Sequence, residues 1–227
     1  MAELSRRGAS NINLVTGTQF APTIIEATDR ARRDGLIIPT VWNSSGYEEI
    51  DTLELLDPAV DIWLPDLKSL DPEICKSYFD APDYPGIATD AIEWMVSRGD
   101  PVVDAQGKLL SGTIIRHLAI PGVIDDTENV IRWIAERIGD HAIISLMTQY
   151  LPLGPLEKSP TRALTPIEAD AIQAILEAYG IENGFIQEFA ADSEWSPDFS
   201  RVNPFPDDYA DPVWHWLHGF VDDRNAP

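Results

Sequence analysis

The segment that decides the fold is VDIWLPDLK, residues 60–68. It begins as a short apolar run with β-branched and aromatic side chains, which is typical of a buried strand. The run ends at Pro65 and is followed directly by the charged residues Asp66 and Lys68. The segment therefore predicts a core strand over residues 60–64 with polar side chains just beyond its carboxyl end.

Similar apolar runs occur on both sides of this segment, and helical patterns separate them. We predict strands at residues 12–15, 36–42, 60–64, 113–120, 141–147 and 184–189. We predict helices at about 24–35, 48–56, 83–98, 126–138 and 165–180, a further helix that begins at 71, and a hairpin over 101–110. Strands that alternate with helices indicate βαβ units and a mainly parallel sheet. The predicted fold class is therefore α/β.

The composition excludes several classes of protein. The chain has 227 residues, with 16 Lys and Arg against 38 Asp and Glu, which gives a formal net charge of −22. Nucleic-acid binding and docking on an anionic membrane both need clustered basic residues. No apolar run approaches the roughly 20 residues of a transmembrane helix, and residues 1–10 lack the apolar stretch of a signal peptide. We expect no nucleic-acid or membrane partner, and the single Cys75 fits a reducing cytoplasm.

The last part of the chain differs from the rest. Residues 190–227 contain eight acidic residues against Arg201 and Arg224, with prolines and aromatic residues interleaved. This composition predicts an irregular tail whose aromatic side chains pack on the body. The predicted organisation is thus one α/β domain over 1–189, followed by an acidic, aromatic tail over 190–227.

Polar residues follow the predicted strands at their carboxyl ends, where parallel α/β sheets bind ligands. The candidate binding residues at this rim are Asn43, Ser45, Asp66, Lys68, Arg116 and Gln149. An arginine binds a carboxylate through two hydrogen bonds, and a lysine adds a point charge. The set suits a polar, zwitterionic or carboxylate-bearing small molecule. A structural alternative stays open, in which Asp66 and Lys68 form a solvated pair and Arg116 is a sheet arginine matched to Asp66.

Five motifs occur in order along the chain and carry a family resemblance. They are NINLVT (11–16), NSSGYE (43–48), VDIWLPDLK (60–68), IIRHLAIPG (114–122) and SLMTQY (145–150). Together they closely resemble the radical SAM proteins related to pyruvate formate-lyase activating enzyme, over about residues 3–190. The resemblance implies a partial or full (β/α) barrel that binds S-adenosylmethionine and a [4Fe-4S] cluster. In such activating enzymes the cluster reductively cleaves S-adenosylmethionine to a 5′-deoxyadenosyl radical. This radical then abstracts hydrogen from a glycyl residue of a partner enzyme.

The chain departs from this family at the cluster motif. The family holds its cluster with CxxxCxxC, whereas this sequence has one cysteine, Cys75, on a predicted helix that the motif does not use. We interpret Cys75 as a small apolar core residue. The resemblance thus predicts a partial barrel, N-terminally truncated to its C-terminal two-thirds, with no cluster on this chain alone. We predict no catalytic residue and no metal site.

The resemblance transfers to individual rim residues. Asp66 and Lys68 match the family's Asp-Leu-Lys segment beside S-adenosylmethionine, and Arg116 matches a basic rim position. Asn43 stands where the activating enzyme has an aspartate, and Gln149 lies where that enzyme offers a histidine. His117 neighbours Arg116, so strand alternation places it on the other face. It is predicted to be a buried, hydrogen-bonded histidine under a helix.

The function predicted from the family is S-adenosylmethionine radical chemistry of the glycyl-radical activation type. We predict that this chain as given is inactive in that chemistry, because the cluster ligands are missing. The alternatives are a non-catalytic binding or scaffold protein and one half of a split enzyme. A truncated barrel exposes the edge of its first strand, residues 12–15, and an uncovered edge favours association. The predicted partners are therefore S-adenosylmethionine and a protein, either a glycyl-radical-type enzyme or a missing N-terminal piece.

Overall fold

The computed structural model describes residues 1–152, 160–186, 214–215 and 219–220. Its helices are α1 (Ala2–Arg6), α2 (Ala21–Arg33), α3 (Ile50–Leu56), α4 (Pro72–Phe79), α5 (Tyr84–Val96), α6 (Ile124–Arg137) and α7 (Pro166–Ala178). Its strands are β1 (Ile12–Val15), β2 (Thr40–Ser44), β3 (Ile62–Pro65), β4 (Val102–Val103), β5 (Leu109–Leu118), β6 (Ile143–Met147), β7 (Gly184–Ile186), β8 (Trp214–His215) and β9 (Gly219–Phe220). The predicted α/β class is confirmed.

The main sheet is mostly parallel and open. Its strand order is β1-β2-β3-β5-β6-β7, and neighbours in this order are parallel. The short β4 pairs antiparallel with β5 and forms the predicted hairpin. Within the described residues β1 and β7 form the two edges, so the sheet does not close into a barrel. β8 and β9 form a separate antiparallel pair.

Sequence signals at the helix termini explain where two of these helices begin. Asp71 caps α4, because its side chain accepts hydrogen bonds from the N–H groups of Glu73 and Ile74. A capping box formed by Thr165 and Glu168 opens α7. Both helices carry proline at the first position, where the missing N–H costs nothing.

Strand alternation gives the sheet two faces, and in the described part of the chain the helices pack on one of them. Trp42 and Trp63 are in register on this face, Ile115 lies two residues beyond their partner Thr113 on the same face, and these side chains form the core with those of α2 to α6. On the opposite face, Leu64 and Ile114 are only half-buried. They line an open cavity of about 290 Å³. This open face ends, at the carboxyl edge of the sheet, in the polar residues predicted as a site.

The second strand differs from its prediction. β2 begins at Thr40 instead of residue 36 and continues to Ser44. Leu36 lies in the turn that follows α2, where its N–H donates to the carbonyl of Ala31, and Ile37 is 90% exposed. An apolar run in the sequence therefore spans the end of a helix, a surface connection and a strand. The pairing of Thr40 with Ile12 of β1 fixes where the strand begins.

The end of the chain stays largely outside the described residues. The sixth predicted strand is present as β7, but residues 187–189 are not described. Of the predicted tail over 190–227, the structure describes only the pair β8 and β9. Among the described residues, no helix is long and apolar enough to cross a membrane.

Candidate functional site

Three neighbouring strands place their carboxyl ends side by side. β2 ends next to β3, where Asn43 is in register with Leu64 and the N–H of Asp66 donates to the carbonyl of Ser44 at 3.0 Å. Asp66 also forms a parallel bridge with Arg116 of β5. The sheet register thus brings Asn43, Asp66 and Arg116 to one point of the rim.

The side chains at this point form a connected cluster, which we call the rim cluster: Asn43, Asp66, Lys68 and Arg116. Arg116 Nη2 lies 2.8 Å from Asp66 Oδ1 and donates to Asn43 Oδ1 at 2.6 Å. Lys68 Nζ lies 2.8 Å from Asp66 Oδ2. Two cations therefore share one carboxylate, so the cluster carries an excess positive charge that an anionic group of a ligand can neutralise.

The rim cluster is accessible and keeps hydrogen-bonding capacity. The side chains of Arg116 and Asp66 are 23% and 20% exposed, and that of Lys68 is 35% exposed. Among the described residues, Nε of Arg116 is buried and has no hydrogen-bond partner. Unsatisfied buried donors are rare in folded proteins. One N–H donor of this guanidinium therefore has no acceptor among the described residues.

An apolar pocket of about 90 Å³ adjoins the rim cluster at Lys68. Its other lining residues come from the end of α4, from the end of β5 and the residues just after it, and from the segment after β6, and they are Tyr78, Phe79, Leu118, Ile120 and Tyr150. Ligand sites in proteins typically combine an apolar wall with a few polar groups. The rim cluster and this pocket together have that character.

Tyr84 contacts the backbone of the loop that carries Asp66 and Lys68. Its buried hydroxyl lies 2.7 Å from the carbonyl of Asp66 and 2.8 Å from that of Ser45, and it accepts from the N–H of Lys68 at 3.1 Å. Burial raises the pKa of Tyr84 far above its ordinary value, so the hydroxyl keeps its proton. Gly46 packs against the same carbonyl, because a Cβ there would lie 2.5 Å from Asp66 O.

Glu48 is a buried carboxyl group behind the loop that follows β2. It accepts hydrogen bonds from Ser44 Oγ at 3.0 Å and from Thr18 Oγ1 at 3.2 Å. Burial raises the pKa of Glu48, while the hydrogen bonds from Ser44 and Thr18 act in the opposite direction. Sequence reasoning missed both Glu48 and Tyr84, because neither lies in a pattern that reveals its burial.

The remaining predicted site residues are Ser45 and Gln149. Ser45 is exposed and contributes its carbonyl, which lies within hydrogen-bonding distance of the Tyr84 hydroxyl. Gln149 is half-buried and lies two residues beyond Met147, the end of β6, which pairs with Leu118 of β5. It therefore belongs to the neighbouring part of the rim. The predicted role of both residues in binding stays a prediction.

Cys75 lies in the core on α4, with no exposed surface, as a small apolar residue would. Its Sγ lies 3.8 Å from the carbonyl of Ser69. Within the described residues, no three His, Cys, Asp or Glu side chains converge in a way that could hold a metal ion. Because a [4Fe-4S] cluster takes several thiolates, the residues described here do not fit one.

Comparison with known proteins supports the fold. No known family profile matches the chain. The chain is 26% identical over 185 residues to the uncharacterized protein MJ0674 of Methanocaldococcus jannaschii. The alignment covers 77% of this chain and 48% of that relative. The chain thus spans about half the length of the curated relative that it matches.

A solved structure shares the architecture. The chain is similar to a crystal structure of a domain of pyruvate-formate lyase-activating enzyme from Bacteroides vulgatus, with a TM-score of 0.57 and 17% sequence identity. The match covers 78% of this chain and 98% of that domain. The fold is therefore that of an α/β sheet domain similar to one in such an activating enzyme. At this identity the likeness concerns the fold.

Proposed function

We propose that this chain is a radical SAM-type protein related to pyruvate formate-lyase activating enzyme, and that its rim cluster binds S-adenosylmethionine. The observation that carries the proposal is the accessible arrangement of Arg116 and Lys68 around Asp66 at the carboxyl edge of a parallel sheet. The shared fold and the five ordered motifs support the same conclusion.

The chemistry of the rim cluster matches this ligand. S-adenosylmethionine has a carboxylate, which the guanidinium of Arg116 and the ammonium of Lys68 can bind. It also has an ammonium group and ribose hydroxyls, for which the Asp66 carboxylate is an acceptor. Asn43 holds the guanidinium in place from the side of β2.

The proposal is limited to ligand binding. Bound S-adenosylmethionine supplies a 5′-deoxyadenosyl radical only where a reduced [4Fe-4S] cluster cleaves it. The described residues offer the single buried Cys75, whereas the cluster takes several thiolates. We therefore derive no radical step from this chain and propose that it is inactive in that reaction by itself.

A calorimetric titration with S-adenosylmethionine tests the proposal. Arg116→Gln removes the charge that faces the ligand, and we expect it to weaken binding by about tenfold or more, because hydrogen bonds to charged groups contribute about 1.5–3 kcal/mol. The matched control is Arg98→Gln, since Arg98 pairs with Asp57 at 3.1 Å near the amino end of β3, away from the rim cluster. Equal affinity in the two variants, or no binding by the wild type, would contradict the proposal.

Within the part of the chain that the structure describes, β1 is an edge strand of the sheet, and this favours a second candidate function. β1 pairs with β2 on one side, and Val15 is 61% exposed. An uncovered strand edge is a template for pairing with another chain. We propose as the alternative that the chain is a non-catalytic binding module or one half of a split enzyme, which a partner chain completes at β1. A monodisperse monomer in light scattering, unchanged at high concentration, would count against this alternative.

A further inference from the structure

A buried histidine lies directly behind the rim cluster. His117 follows Arg116 on β5 and points to the opposite face of the strand, where it is 1% exposed. Its Nδ1 lies 2.7 Å from the carbonyl oxygen of Leu67, and its Nε2 lies 3.1 Å from Thr127 Oγ1. Both ring nitrogens therefore have a partner, as the sequence predicted for a histidine under a helix.

The partners fix the protonation of the ring. A carbonyl oxygen can only accept a hydrogen bond, so Nδ1 of His117 carries a hydrogen and donates it to Leu67. In the neutral ring Nε2 is then an acceptor, and the hydroxyl of Thr127 donates to it. Burial lowers the pKa of His117, which favours this neutral form. The imidazole thus connects the start of α6 with the backbone of the β3–α4 loop.

The loop that His117 holds is the one that carries Asp66 and Lys68. Leu67 lies between these two residues, and its own N–H donates to the carbonyl of Arg116 at 2.8 Å. Consecutive residues of β5 therefore bind both polar groups of the Leu67 backbone. Since the peptide planes on either side of Leu67 lead to Asp66 and Lys68, these two bonds determine where both side chains leave the backbone.

A second contact from the same helix acts on the same loop. Asp126, which is 5% exposed, accepts a hydrogen bond from the N–H of Leu70 at 3.1 Å through Oδ1. Asp126 in the first turn of α6 therefore holds the loop at Leu70, and His117 of β5 holds it at Leu67. The loop has little freedom to change its position relative to Arg116.

We propose that His117 is a positioning residue, which holds Asp66 and Lys68 at the distances from Arg116 that ligand binding needs. The inference rests on the proposed binding of S-adenosylmethionine to the rim cluster. A merely structural histidine would contribute to folding without affecting the loop in the folded protein. A positioning histidine affects the loop and the ligand specifically through its Nδ1 hydrogen.

Two amide substitutions separate the two nitrogens of the ring. His117→Asn places an amide nitrogen near the position of Nδ1 and keeps a donor for Leu67, whereas His117→Gln reaches towards the position of Nε2 and loses that donor. Thr127→Val is the matched control, because it removes the other hydrogen bond of the imidazole and leaves the Leu67 contact in place. All variants are compared in the full chain, under conditions where chemical denaturation shows them folded.

The first readout is affinity for S-adenosylmethionine by calorimetry. We expect His117→Gln to weaken binding by about tenfold, which is the loss of roughly one backbone hydrogen bond, and His117→Asn and Thr127→Val to bind like the wild type. The second readout is amide hydrogen exchange. We expect the N–H groups of Leu67 and Lys68 to exchange faster in His117→Gln than in the wild type, and at the wild-type rate in Thr127→Val. Equal affinity and equal exchange in all variants would overturn the positioning role.

The exchange readout keeps the two proposals apart. If the wild type does not bind S-adenosylmethionine, the proposed function fails, yet faster exchange at Leu67 in His117→Gln still supports the coupling of His117 to the loop. If His117→Gln does not fold, the imidazole nitrogen spectrum of the wild type decides. A hydrogen on Nδ1 supports the proposal, and a neutral ring with its hydrogen on Nε2 overturns it.

Discussion

Gly46 offers a sharp test of how the loop after β2 supports the rim cluster. Its φ is +74°, in the left-handed region, and an added Cβ would lie 2.5 Å from the carbonyl oxygen of Asp66. That oxygen cannot easily move away, because it also lies 2.7 Å from the hydroxyl of Tyr84. Gly46→Ala therefore forces the loop and the Asp66 segment apart.

The free-energy cost has two parts, and a matched glycine separates them. Gly107 has a φ of +79° and no atom within 4 Å of an added Cβ, so Gly107→Ala has the backbone cost alone. That cost is about 1–2 kcal/mol for a left-handed residue. Gly46→Ala adds an overpacking cost of about 1–3 kcal/mol. Its free energy of unfolding should therefore fall below that of Gly107→Ala by roughly that amount.

Urea denaturation followed by tryptophan fluorescence measures this difference. The buried Trp42 and Trp63 report on the core, and the dependence on urea should keep the same slope in both variants. We also expect Gly46→Ala, and not Gly107→Ala, to weaken binding of S-adenosylmethionine. If Gly46→Ala is no less stable than Gly107→Ala, the loop after β2 does not pack against the Asp66 carbonyl as closely as the structure shows.

Two further predictions concern buried groups. Because burial raises the pKa of Glu48, the folded protein keeps a proton that the unfolded chain releases, and stability is lost as the pH rises above about 4.5. Glu48→Gln removes this loss, so denaturation curves should show its stability rising relative to that of the wild type as the pH increases above about 4.5, and a difference that does not change with pH would contradict the assignment. Burial also raises the pKa of the Cys75 thiol, which has no exposed surface. A thiol reagent should therefore react only as fast as the protein opens, and immediate stoichiometric labelling of the native protein would show that Cys75 is not in the core.

The sequence predicted the rim cluster because parallel strands impose a simple geometry. Residues near the carboxyl ends of parallel strands share one rim, so Asn43, Asp66 and Arg116 could be placed on that rim from the strand assignments. The same reasoning could not determine whether Arg116 pairs with Asp66. The structure shows that it does, at 2.8 Å, which was the structural alternative, and both side chains stay partly accessible. The ion pair and a binding role are therefore compatible.

The missed features depend on tertiary packing. Glu48 and Tyr84 have no distinctive spacing, and their burial follows from how the loop after β2 folds over β3. The start of β2 was predicted too early, because an apolar side chain such as Ile37 can lie on the surface. His117, in contrast, was assigned correctly from strand alternation, since its neighbour Arg116 faces the open side of the sheet.

The central claim is that the carboxyl edge of the sheet binds S-adenosylmethionine. Amide NMR spectra recorded during a titration with this ligand test it most directly. We expect shift changes concentrated at Asn43, Asp66, Lys68 and Arg116, and we expect these changes to be weak or absent in Arg116→Gln. No shift changes, or changes confined to Asp57 and Arg98 near the amino end of β3, would contradict binding at the carboxyl edge of the sheet.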